Sequence, residues 1–334
     1  MTTIAIAGCA HIHIGGFIHT LQNRPETVCK LVWDHNTGRA EQRAGELGAA
    51  VADSMDAICA DPEIDAVIVC TETNLHEQVV LPLAAAGKHL FVEKPLGFAS
   101  ADAFRMAAAI EAAGVIYGTG FFMRGYPAHL FLKQQVESGA FGKITRVRGS
   151  NCHSGALGHW FDKDWRWMAD PKIAGVGAFG DLGAHMLDIL LWINGDVSEV
   201  TAQLDRGTGA YEGCDETGEG MLRFTNETIG TLAAAWDDVA DPVTLQICGT
   251  EGHAVIINGD LYFKSSHVDD ADGKAPWTDL LPAQPASLDA FLDAVEGKPA
   301  ALVTVREAAT RSAVMEALYT GAQNGAWTTP KTPD

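Results

Sequence analysis

A chain of 334 residues, 47% hydrophobic and 20% charged, is long enough for about two domains and has the balance of a soluble globular protein. A net charge of −20 argues against nucleic acid or an anionic membrane as partner, because phosphate binding needs clustered Lys and Arg. No run approaches the roughly 18 uninterrupted apolar residues of a membrane helix. The seven cysteines are scattered and never spaced C-x-x-C. Met1–Ile4 runs straight into a strand without a basic or cleavable leader, so a reducing, cytoplasmic setting with no disulfide framework is expected.

The first third alternates apolar strands with amphipathic helices. Strands are expected at Thr3–Ala7, Val28–Trp33, Ala49–Ala52, Asp65–Cys70, Leu90–Val92 and Val115–Thr119. Helices fall between them: one ending at Leu21, then Thr37–Leu47, one from Thr71–His76 to Ala86, and Ala101–Ala113. Buried runs separated by helices predict a doubly wound parallel sheet. Its first strand–turn–helix is where a dinucleotide phosphate would sit. Of the G-x-G-x-x-G pattern only Gly8 is kept, with Ala10 and His13 in the other two places. Asp34 ends the second strand and suits a ribose 2′-hydroxyl; its charge would repel a 2′-phosphate, so NAD is favoured over NADP. His11-Ile12-His13 also fits the H-x-H start of a metal hydrolase barrel, but the strand–helix alternation stops near residue 120, well short of eight units.

Glu93-Lys94-Pro95 follows the fifth strand directly, at the sheet edge where ligands bind. A residue before Pro is kept out of the helical region, so Lys94 is expected to point its amine into a cleft.

Beyond Gly120 come a helix from Tyr126-Pro127 to Glu137 and a strand over Lys143–Asn151. His153–Lys172 is a loop rich in Trp, His and charge that suits sugar-like ligands. Gly175–Gly180 leads into a helix whose stripe of Leu182, Met186, Ile189 and Leu190 faces the core. Asp181 and His185 lie one turn apart on the same helix face, as a carboxylate orienting a general base would. Strands at Ser198–Asp205, Gly218–Phe224, Ile229–Trp236, Pro242–Cys248, His253–Ile257 and Leu261–Lys264 predict a mainly antiparallel, one-sided sheet. Helices Ser287–Val295 and Val305–Ala322 follow, and 328–334 reads as a frayed tail.

In order along the chain, Thr71-x-x-Asn74-x-His76, Ala86-Gly87-Lys88-His89, Glu93-Lys94-Pro95, Phe122-Met123-Arg124, Trp165-Arg166, Gly177-x-x-x-Asp181-x-Gly183-x-His185-x-x-Asp188 and Gly249-Thr250-Glu251-Gly252 resemble the Gfo/Idh/MocA oxidoreductases, relatives of glucose–fructose oxidoreductase and inositol dehydrogenase. The resemblance runs essentially end to end. It implies an N-terminal Rossmann domain over 1–121 and an open-faced α+β domain over 122–334 for substrate binding and oligomerisation. It further implies bound NAD, a sugar, sugar derivative or inositol as substrate, no metal, and a homodimer or homotetramer through the second sheet.

Carried over residue by residue, the resemblance makes Lys94, Asp181 and His185 catalytic. His185 would take the hydroxyl proton, Asp181 would orient it, and Lys94 would polarise the reacting oxygen. The cofactor positions are Gly8, Ala10, His11, Ile12, Asp34, Thr71, Asn74, His76, Glu93, Lys94, Arg124, Trp165 and Arg166. His153 and Trp236 join Lys94, Asp181 and His185 as substrate contacts. Departures are His13 and Tyr126-Pro127. Other readings of the same residues are a redox-neutral NAD-using glycosidase, a non-catalytic NAD- or sugar-binding regulator, and a metal-dependent amidohydrolase.

Overall fold

The computed structural model describes residues 1–333. The first sheet comprises β1 (Thr2–Ala7), β2 (Thr27–Trp33), β3 (Ala50–Val51), β4 (Ala66–Val69), β5 (His89–Val92) and β6 (Tyr117–Thr119). They lie in the order β3-β2-β1-β4-β5-β6, and every pair is parallel. The period-2 rule explains how so many apolar residues fit. Ile4, Ile6, Ile68 and Phe91 point to one face, where α1 (Ile14–Gln22) and α2 (Thr37–Leu47) pack. Ala5, Ala7, Val67, Val69, Leu90 and Val92 point to the other, covered by α3 (Met55–Ala60), α4 (His76–Ala85) and α5 (Ser100–Ala113). The α3 helix was not anticipated. Six residues carry little periodic signal, and its start is marked only by the Ser54 hydroxyl accepting the Ala57 amide.

The chain then runs through α6 (Pro127–Glu137), β7 (Ile144–Cys152), α7 (Pro171–Ala174) and α8 (Ala178–Asn194). The remaining strands are β8 (Val197–Asp205), β9 (Thr217–Phe224), β10 (Ile229–Ala235), β11 (Val243–Gly249), β12 (Gly252–Ile257) and β13 (Asp260–Ser265). The second sheet has the order β13-β12-β11-β7-β10-β9-β8. It is antiparallel apart from the β7–β10 pair. One face is covered by α8 and its neighbours; the other leaves Met221, Ile229 and Val243 exposed.

Helix α8 is the spine of this half. Gly149 on β7 admits the Met186 side chain so closely that a Cβ there would sit 2.6 Å from its sulfur. The stretch Pro171–Asn194 is long and apolar enough to cross a membrane, yet 83% of its most apolar window is buried inside the protein. It is a core helix here. Its N-terminal amides are satisfied from a distance: Asp215 accepts from Phe179, and the Tyr319 hydroxyl accepts from Gly177 and Gly180.

The last two helices, α9 (Ser287–Val295) and α10 (Val305–Asn324), tie the halves together. Phe291 and Leu292 of α9 pack on the first sheet beside Phe91, and Val305 and Ala308 of α10 cover its other face. The expected frayed tail is anchored at its start, where Thr328 exchanges two backbone hydrogen bonds with Val200; Asp334 lies outside the described residues.

Candidate active site

Lys94, Asp181, His185, His11 and Glu93 converge on the carboxyl edge of the first sheet and the start of α8. Lys94 follows β5, its bond to Pro95 is cis, and only 3% of the residue is exposed. Its Nζ donates to Asp181 Oδ1 at 2.6 Å and to the Asp181 carbonyl at 3.1 Å. Asp181 Oδ2 accepts the Trp236 indole N–H at 3.2 Å. Burial alone would raise the Asp181 carboxyl, but the Lys94 ammonium outweighs it and brings the pKa down to about 2. Placement in the first turn of α8 adds favourable helix-dipole potential.

His185 sits one turn further along α8, 4% exposed, with its ring 4.7 Å from that of Phe122 and 6.1 Å from that of Phe121. Burial, helped by the nearby Lys94 charge, pushes its pKa well below the ordinary imidazole value. Its Nδ1 is buried without a hydrogen-bond partner among the described residues. The orienting bond expected from Asp181 is not formed, because that carboxylate is already engaged by Lys94 and Trp236. Trp236, expected as a substrate contact, is fully buried, packed against Phe161 at 4.2 Å, and braces Asp181 through its indole N–H. His153 is half-buried near this pair, its ring 4.8 Å from that of the exposed Trp160.

The phosphate turn keeps Gly8 for a clear reason. Its φ is +87°, and a Cβ there would lie 2.6 Å from the Thr71 amide nitrogen. The amides of Ala10 and His11 both donate to the Cys70 carbonyl, closing the turn on the end of β4. His13 begins α1 in place of the third glycine, and its Nδ1 reaches Glu93 Oε1 at 2.8 Å. His11 is buried beside it, and burial drives its pKa down to about 3. The Trp167 indole crosses from the second domain to donate to the Ala10 carbonyl at 3.0 Å. His11, Lys94, Trp167 and Asp181 enclose about 10 Å³ between them, room for about one water.

Two larger concavities flank this turn along the sheet edge. On the β2 side, Trp33, His35, Met55, Glu72 and Asn74 line about 580 Å³. On the β5–β6 side, Ile12, His13, Glu93, Gly120 and Phe122 line about 420 Å³. One on each side of a glycine turn at a helix N-terminus, they fit the two halves of a dinucleotide.

Asp34 lies at the β2 end as expected but is not an open acceptor. Its side chain is fully buried. Oδ2 takes the Cys9 amide at 2.6 Å, and Oδ1 takes the Asn36 amide and the Arg39 guanidinium at 2.7 and 2.9 Å. Arg39 also reaches Glu72 at 3.0 Å.

Four expected cofactor residues are engaged elsewhere. Arg124 pairs with Asp188 and Glu307 and lies over the Trp192 ring, clamping α8 to α10. His76 is buried and binds the Leu96 carbonyl, propping the loop after Pro95. Arg166 lies over the Tyr211 ring, and Trp165 packs on the second core. Trp167, missed among three neighbouring tryptophans, is the one that meets the turn; only the docking of the domains distinguishes it.

Comparison with known proteins gives matches in both halves. Residues 2–121 match an oxidoreductase family with an NAD-binding Rossmann fold, and residues 129–255 match the GFO/IDH/MocA C-terminal domain. The chain is similar to a levoglucosan dehydrogenase of Pseudarthrobacter phenanthrenivorans, 28% identical over 68% of this chain and 64% of that protein. It is 31% identical to a myo-inositol 2-dehydrogenase of Thermotoga maritima over 69% of this chain and 67% of that protein. Its fold matches a levoglucosan dehydrogenase solved with NADH and levoglucosan, at a TM-score of 0.82 and 21% identity, covering 99% of this chain and 100% of that one.

Proposed function

The chain belongs to the Gfo/Idh/MocA oxidoreductase family, and from that premise we propose that it transfers a hydride between a secondary alcohol of a sugar, sugar derivative or inositol and the nicotinamide of NAD. The observation that carries this reading is a buried imidazole with an unpaired nitrogen beside a buried ammonium: His185 Nδ1 and the Lys94–Asp181 pair.

Burial keeps His185 neutral at pH 7, so it can accept the proton of a substrate hydroxyl. Lys94, held by Asp181 through two hydrogen bonds, has one ammonium proton left to donate to the same oxygen. It thereby favours negative charge on that oxygen as the proton leaves. Trp236 fixes Asp181 and so fixes Lys94; these are positioning roles. Bound along the sheet edge, NAD supplies the hydride acceptor. Gly8, Ala10, His11 and Ile12 would line its pyrophosphate at the start of α1, Asn74 and Asp34 would meet the adenosine half, and Glu93 with Lys94 the nicotinamide half.

Two carboxylates, Asp34 and Glu72, share the single Arg39 guanidinium. That local excess of negative charge supports NAD over NADP. The exposed apolar residues on the open face of the second sheet support association of two or four copies through it. A panel of pyranosides and inositols with NAD tests the reaction: NADH should appear with at least one member. Tight NADH binding with no turnover across the panel would replace this reading with that of a binding protein.

A further inference from the structure

One cluster exceeds what hydride transfer asks for. Glu93 ends β5 with its side chain fully buried. Its carboxylate receives His13 Nδ1 at 2.8 Å and the Lys94 amide at 3.0 Å, and His11 Nδ1 lies 3.7 Å away. The Lys94 ammonium is committed to Asp181. Among the described residues no Lys or Arg side chain forms a salt bridge with Glu93. A buried carboxylate is costly unless a cation meets it.

The H-x-H turn brings the two imidazoles within 4.6 Å of each other. One donor atom from each of His11, His13 and Glu93 lies within 4.8 Å of the others. Around an ion with bonds of about 2.0–2.1 Å, neighbouring tetrahedral ligand atoms are about 3.3 Å apart. The two separations to Glu93 Oε1, 2.8 Å from His13 Nδ1 and 3.7 Å from His11 Nδ1, bracket that value, and His11 Nδ1 would exchange the His13 amide it now accepts at 3.3 Å for the ion. Two imidazoles and one carboxylate suit a borderline transition ion, whereas magnesium and calcium want oxygen. His13 also stands where the dinucleotide turn calls for glycine, so the turn itself does not account for it. Because His13 and Glu93 line the 420 Å³ concavity, an ion has a way in.

We propose that His11, His13 and Glu93 form a binding site for one divalent transition-metal ion of the zinc class, with a coordination position left open. The site shares His11 and Glu93 with the cleft proposed for NAD, and ion binding measured without NAD stands or falls apart from the dehydrogenase reading.

The test is a titration of the full chain, stripped with chelator, with Co²⁺ alone. One ion per chain should bind with a visible ligand-field spectrum and be displaced by Zn²⁺. Glu93→Gln and His13→Gly should each weaken Co²⁺ binding by more than the roughly 10–100-fold that outer-shell changes produce. His13→Gly brings the turn closer to the dinucleotide pattern, so it should keep its fold, read by circular dichroism, while its NADH response is free to change because His13 lines the same concavity. Loss of Co²⁺ in that variant therefore reports on the ligand. Absence of a stoichiometric Co²⁺ spectrum in the wild type would overturn the proposal, and so would an unchanged spectrum in both variants. The NADH response is read separately and bears only on the cofactor.

Discussion

Replacing Lys94 with Met removes the ammonium from a buried pair while roughly keeping its bulk. In the wild type that ammonium takes the Asp181 carboxyl from its ordinary 3.8 to about 2. At about 1.4 kcal/mol per pH unit, the depressed carboxyl contributes about 2–3 kcal/mol at neutral pH. Because the folded pKa is depressed, the contribution is fully present above pH 3.8 and is lost as pH falls through about 2. The variant loses more than this, since a buried carboxylate with only the Trp236 indole against it is left behind. Breaking such a pair costs about 3–5 kcal/mol. Urea unfolding at neutral pH should show that loss. The gap between wild type and variant should narrow as acid protonates Asp181 in both chains. Lys94→Met combined with Asp181→Asn should recover most of the stability, because the stranded charge is gone. A gap that stays constant with pH, or a double variant no better than the single one, would refute the assignment of this pair as the buried electrostatic centre.

Other consequences are equally direct. Gly8→Ala places a Cβ 2.6 Å from the Thr71 amide at a φ of +87°; it should cost about 1–3 kcal/mol and abolish the NADH fluorescence response, and normal NADH binding would contradict the turn assignment. Asp34→Ala should release Arg39 and raise NADPH affinity relative to NADH, and an unchanged ratio of dissociation constants would remove Asp34 from cofactor choice. Since the His185 pKa lies well below 6.5, the alcohol-oxidation rate should stay level as pH falls through 6.5 and drop only at more acid pH; a break at or above 6.5 would show that His185 is not the base. Trp236→Phe should cost about 1.5–3 kcal/mol through the lost bond to a charged acceptor and lower kcat more than it changes KM, whereas a pure KM effect would make Trp236 a substrate contact after all.

The fold was legible because its signals are local. Strands such as β1 and β4 are continuous apolar runs, and helix α2 is bounded by the Asn36 cap and by Gly48 at φ +63°. Lys94, Asp181 and His185 were legible because a strand end and the first turns of a helix aim side chains predictably. Their pairing was not. Helix spacing put Asp181 beside His185, but domain docking brought the stronger partner, Lys94, from 87 residues away. Arg124, His76 and Trp236 have the residue types of a binding site, and only packing reveals that Asp188 takes the Arg124 guanidinium, the Leu96 carbonyl takes His76 Nδ1 and Asp181 takes the Trp236 indole N–H. Asp34 was read as an open acceptor because nothing local predicts that Arg39, five residues on, folds back across it.

If Lys94 and His185 run hydride transfer at the sheet edge, single-turnover NADH formation from the best substrate of the panel separates wild type from Lys94→Ala, with NADH binding measured in both. The variant should bind NADH as the wild type does and lose hydride transfer by at least about a hundredfold. Wild-type rates of NADH formation in Lys94→Ala would contradict that role for Lys94.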